Sequence, residues 1–176
     1  RATGLKAAIS LVRGPGKDKA AELMSVLDDV LDTPGASAHF TYGVLSLYGE
    51  LGGSLHSGSL EKLLARLDGQ LSIESESIAK GAARGLAAAL GGALAAGMIE
   101  KDEVQARLEA GLKGVAEASG PVEARVAAFQ VGAACSAVGS HVLPSWGVVA
   151  KLFAVLGDKA SAVHAREAAL LSLEQL

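Results

Sequence analysis

Five segments of this chain align with one another at nearly constant spacing, and that repeat constrains the fold more than any other feature. Ala2-Thr3-Gly4-Leu5, Thr41-Tyr42-Gly43-Val44, Ala83-Arg84-Gly85-Leu86, Ala124-Arg125-Val126-Ala127 and Ala165-Arg166-Glu167-Ala168 begin at offsets of 39, 42, 41 and 41 residues. Three positions into each segment an apolar side chain recurs: Leu5, Val44, Leu86, Ala127 and Ala168. Seven positions in come Ile9, Tyr48, Leu90 and Val131, with Ser172 as the exception. Beside these stand Ser10, Gly49, Gly91 and Gly132, all small, and then Leu173, which departs. A rhythm of three, four and seven marks one face of a helix, and small residues there let a neighbouring helix come close.

A second set of helices alternates with the first. Leu23, Val26, Leu27, Val30 and Leu31 form one apolar stripe, and Leu60, Leu63, Leu64, Leu67 and Leu71 the next. Val104, Leu108, Leu112 and Val115 form a third, and Val149, Leu152, Phe153 and Leu156 a fourth. Turn chemistry separates them: Gly14-Pro15-Gly16, Asp32-Thr33-Pro34-Gly35, Gly120-Pro121 and Leu143-Pro144-Ser145. The pattern predicts an all-α chain of nine helices over 2–13, 18–32, 36–54, 58–71, 75–97, 101–118, 121–141, 145–157 and 161–176. Helical pairs at a period of about 41 residues are the mark of a HEAT- or armadillo-like α-solenoid. The expected organisation is one solenoid segment over residues 1–176. Its first helix has no partner before it and its last has no polar cap, so it reads as part of a longer array or as an assembly subunit.

Composition agrees with this and excludes other classes. The 176 residues include 34 Ala, 26 Leu and 22 Gly, with only six aromatic residues. Half the chain is apolar, too much for a disordered polymer. It lacks the strict glycine period of collagen and the β-branched and aromatic content of a β-sandwich. The uncharged stretch over 85–99 is shorter than the ~20 residues a membrane span requires. That over 126–150 is broken by Pro144, so no membrane span is expected. A single cysteine, Cys135, rules out an internal disulfide and a cysteine-cluster metal site.

Known catalytic patterns are missing. Arg13-Gly14-Pro15-Gly16-Lys17-Asp18 ends in Asp where a phosphate-binding loop needs Ser or Thr. There is no nucleophile elbow and no zinc-protease helix. His39, His56, His141 and His164 stand at unrelated repeat positions. The reading is of a protein that is not an enzyme, with no cofactor, no metal and no small-molecule substrate.

Charge offers a narrower lead. The net charge is −3, so no global basic field attracts nucleic acid. One arginine per repeat nevertheless recurs at Arg84, Arg125 and Arg166. Two readings stand: an Asp–Arg ladder between repeats, with Asp158 as a partner, or a basic edge for RNA phosphates joined by Lys17, Lys19 and Lys159. The acids Asp28, Asp29, Asp32, Glu74 and Glu76 are expected on other turns.

Three segments carry a family resemblance. AKGAARGLAAALGGAL, residues 79–94, resembles a block of the general-control translational activator, a ribosome-associated HEAT protein. GPVEARVAAFQVGAACSAVGSHVLPSWGVVAKLFAVLGDKASAVHAREAA, residues 120–169, is similar to that protein's following units. KDKAAELMSVLDDVLDTPG, residues 17–35, is similar to a preceding unit, and translation elongation factor three shares the ancestry. The pattern departs at Arg84, where the family favours an aromatic, and at Val126, where it has Gly. The resemblance implies a non-catalytic scaffold in the cytoplasm, associated with ribosomes and translation control through protein partners or an rRNA surface. The alternative expectation is an accessory structural subunit of a large complex, organellar after loss of a targeting peptide.

Overall fold

The computed structural model describes residues 16–139 and 143–176; the helix expected over 2–13 lies outside them. The described residues form helices joined by turns, with no strand among them. In chain order these are α1 (Lys17–Asp32), α2 (Ala38–Gly49), a 3-10 turn (Gly52–Ser54), α3 (Ser57–Gln70) and α4 (Glu76–Ala95). They continue with α5 (Lys101–Glu117), α6 (Pro121–Val138), the short α7 (Leu143–Trp146), α8 (Val148–Gly157) and α9 (Val163–Glu174). The chain divides into two compact units, Arg1–Ile99 and Glu100–Leu176.

Local chemistry sets the helix ends. Ser37 caps α2, its Oγ accepting from the Phe40 N–H at 3.2 Å. Gly97, at φ +64°, ends α4, and there the Met98 N–H reaches the Ala93 carbonyl at 2.9 Å. Glu100 and Glu103 close a reciprocal capping box on α5, and Pro121 opens α6 where its missing donor costs nothing. Two expected helices differ. The one predicted over 36–54 stops at Gly49 and resumes as the 3-10 turn, because Gly52 must pass against Ala89. The one predicted over 145–157 is split at Gly147, whose φ of +62° interrupts the helical path between α7 and α8.

In the first unit, α2 and α4 lie closest. Gly49 meets the backbone of Gly85, and a Cβ on Gly81 would stand 2.7 Å from the Tyr42 Cα. Contacts advance together along both helices, so α2 and α4 run parallel. α3 packs on α4 through Leu60, Leu63, Leu64 and Leu67, all buried as their spacing predicts. Each such leucine contributes about 1.5–3 kcal/mol by burial. α1 packs on α2 with Ala20 and Met24 buried; of its expected stripe Leu23, Leu27, Val30 and Leu31 are half-buried, and Val26 is 56 % exposed.

In the second unit, α5 packs antiparallel on α6, Gly111 lying against Val131 and Gly114 against Ala127. The expected α5 stripe of Val104, Leu108, Leu112 and Val115 is buried throughout. α9 packs on both α6 and α8. On α8 the buried residues are Val148 and Leu152, while Val149 and Phe153 face outward. The repeat positions match the core: Val44, Leu86, Ala127 and Ala168 are buried, as are Tyr48, Leu90, Val131 and Ser172. Ser172 fits this apolar register because its Oγ donates to the Ala168 carbonyl at 2.7 Å.

Candidate functional site

The six cations singled out in the sequence fall in both units. Lys17 and Lys19 are exposed in the first turn of α1, and Arg84 is exposed on α4. Arg125 on α6 and Arg166 on α9 are half-buried, and Lys159 is exposed in the turn between α8 and α9. Asp158 does not pair with Arg166 among the described residues. Its Oδ1 closes its own turn instead, accepting from the Ala160 N–H at 2.9 Å.

Arg84 has surroundings that its spacing did not foretell. Its Nη1 donates to the Tyr42 Oη at 3.5 Å, bringing α4 against the first turns of α2. The Tyr42 ring lies beside that of His39, with centroids 6.4 Å apart and planes inclined by 14°. Phe40, next to them in sequence, is 54 % exposed. The run His39-Phe40-Thr41-Tyr42 holds two of the chain's six aromatic residues, which is the sequence signal that could have marked it.

A second polar group joins three helices. Tyr48, wholly buried on α2, donates its hydroxyl to the Asp28 Oδ1 of α1 at 2.9 Å. The Arg66 Nε of α3 stands 3.4 Å from the same oxygen, and its Nη2 donates to the Asp32 Oδ1 at 2.7 Å. Asp28 and Asp32 are therefore not simple surface acids. Burial and the Asp28 hydrogen bond hold the Tyr48 phenol well above its ordinary range. The hydrogen bond to Asp32 strengthens the hold of Arg66 on its proton. This group fastens α1, α2 and α3 together.

The remaining titratable features are local. Burial pushes the Cys135 thiol up to about 11, which suits an inert core residue. Hydrogen bonds from Ser119 lower the Glu123 carboxyl at the start of α6. His56 stands 3.8 Å from Asp18 and His164 stands 3.1 Å from Glu167, each a single contact, while His141 lies outside the described residues. Among the described residues no three His, Cys, Asp or Glu side chains gather where they could hold a metal ion.

A groove of about 530 Å³ runs between α5 and α8, with Leu112, Val115 and Leu152 on its floor and Lys113 and Lys151 at its rim. Among the described residues no helix is long and apolar enough to cross a membrane. Compared with protein-family models, with curated proteins and with solved structures, the chain matches none.

Proposed function

We propose that this chain is a non-catalytic scaffold, a stretch of HEAT-like α-solenoid, that associates with ribosomes in the cytoplasm through a salt-sensitive edge. The observation that carries this reading is the placement of Arg84, Arg125 and Arg166 at one register of α4, α6 and α9. Each sits one residue beyond a buried alanine that packs the helix: Ala83, Ala124 and Ala165. Arg84 is exposed, and Lys17, Lys19 and Lys159 add exposed charge in turns and helix starts. The resemblance of residues 17–35, 79–94 and 120–169 to ribosome-associated HEAT units supports the choice of partner.

The test is co-sedimentation with ribosomes. Phosphate contacts release counterions, so binding should fall steeply between about 50 and about 200 mM salt. Replacing Arg84, Arg125 and Arg166 together by Gln should weaken sedimentation while the melting temperature stays near that of the parent. A folded triple variant that sediments fully, or a parent that never sediments at low salt, would end this reading.

A second reading, an accessory structural subunit of a large complex, draws on a different observation. Val149 and Phe153 on α8 and Val163 and Leu170 on α9 are all exposed. Such a concentration of large apolar side chains on adjacent helices suits a protein neighbour.

A further inference from the structure

We propose that the first turns of α2, with Arg84 of α4 beside them, form a stacking platform for single-stranded RNA. Bases would lie on His39, Phe40 and Tyr42, and a phosphate would be held by Arg84. This deepens the ribosome reading and rests on it for the source of the RNA.

Four observations converge on this place. His39 and Phe40 are exposed, and the His39 and Tyr42 rings are close to coplanar in orientation, at 14°. Nucleic-acid bases stack on aromatic faces of this kind without needing a defined sequence. The Tyr42 Oη accepts from Arg84 Nη1, which fixes a permanent cation at the edge of the rings. An arginine so placed serves both phosphate binding and stacking. On α4 the carboxylate of Glu76, two turns before Arg84, is matched by Lys80 at 2.6 Å. Finally, the ground beside the rings is open. Gly43 lies one helical turn after His39, and a Cβ there would meet no atom of the described residues within 4 Å. That contrasts with Gly49 and Gly81, whose absent side chains admit a neighbouring backbone.

The experiment is fluorescence anisotropy of a labelled oligouridine of about 12 nucleotides with the full chain. The expected result is binding at about 50 mM salt that weakens toward about 200 mM. His39→Ala and Tyr42→Leu should each weaken it by about fivefold or more, the scale of one lost base stack. Arg84→Gln should make the logarithmic salt slope shallower by about 0.7, the contribution of one phosphate contact to a single strand. Circular dichroism melting checks that each variant is folded. Should Tyr42→Leu fail to fold, His39→Ala decides, because its side chain lies at the surface. Photo-crosslinking of 4-thiouridine RNA should fall on residues 38–43.

Absence of oligouridine binding at low salt, unchanged affinity in the folded His39→Ala variant, or crosslinks confined to other segments would each overturn the proposal. Ribosome co-sedimentation without any oligouridine binding would overturn the platform alone and point to a ribosomal protein as the contact. Oligouridine binding that depends on His39, without co-sedimentation, would uphold the platform and overturn the ribosome reading.

Discussion

The Tyr48 hydroxyl donates to the Asp28 carboxylate at 2.9 Å, joining a wholly buried ring on α2 to a half-exposed acid on α1. Because the acceptor is charged, this bond is stronger than one between neutral groups. Tyr48→Phe keeps the ring and removes the donor. It should lower the unfolding free energy by about 1.5–3 kcal/mol in urea titration. A change under about 0.5 kcal/mol would mean that solvent or Arg66 fully replaces the hydroxyl at Asp28.

The two acids that Arg66 grips should not be equivalent. The Asp32 side chain is 68 % exposed and that of Asp28 only 30 %. Exposed ion pairs contribute about 0–1 kcal/mol and weaken further with salt. Asp32→Asn is therefore expected to shift stability by less than about 1 kcal/mol. Asp28→Asn should cost more than Asp32→Asn, because it disturbs the Tyr48 hydroxyl as well. Thermal melts of the two variants at low and high salt would show the difference. Equal losses would contradict the geometry.

Alkaline solution should loosen the protein through two buried protons. The folded state raises the Cys135 thiol from 9.0 to about 11. It also lifts the Tyr48 phenol above its ordinary 10.0. In both cases the neutral form is favoured in the folded chain, so the unfolded chain releases its proton first. The stabilisation is complete below pH 9 and is lost as pH rises through about 11 for the thiol. Tyr48 adds to the decline only above pH 10. Cys135→Ala should remove the part of the decline that starts near pH 9, an effect of at most about 2–3 kcal/mol. Urea unfolding at a series of pH values would read it. Superimposable pH profiles for parent and variant would refute the assignment.

Alanine at two glycines of α2 should act in opposite directions. At Gly43 the new methyl meets none of the described residues, and alanine is the better helix former by about 0.8–1.0 kcal/mol. At Gly49 it overlaps the Gly85 backbone, which cannot rotate away. Overpacking of that kind costs about 1–3 kcal/mol, or more where backbone must move. Gly43→Ala should therefore melt above the parent and Gly49→Ala below it. Variants that melt together would show that α2 and α4 are not in contact along this line.

Local order was legible in the sequence wherever one element's own spacing decided it. Leu60, Leu63, Leu64 and Leu67 are buried because a leucine row at helical spacing has only one way to leave water. The turns at Thr33–Gly35 and Gly120–Pro121 follow from backbone chemistry. Tyr48, Asp28 and Arg66 were not legible as a group. They lie on three helices and meet only through tertiary packing, so no window of sequence contains them. Within the α1 stripe Val26 was misplaced for a related reason. Val26 and Leu27 suit a helix face equally well, and only the position of α2 decides that Met24 turns inward and Val26 outward. The helical register of Arg84, Arg125 and Arg166, each one residue past a buried alanine, was readable. The rings beside Arg84 were not, since Tyr42 is 42 residues away in the chain.

The close passage of Gly49 on Gly85 and Gly52 on Ala89 has a thermal consequence. Where helices meet through peptide groups, unfolding hydrates polar surface in place of hydrocarbon. Apolar exposure raises the heat capacity of unfolding and polar exposure lowers it. This seam should therefore add less to the heat-capacity increment than a seam of leucines of the same length, and so bend the curve of stability against temperature less.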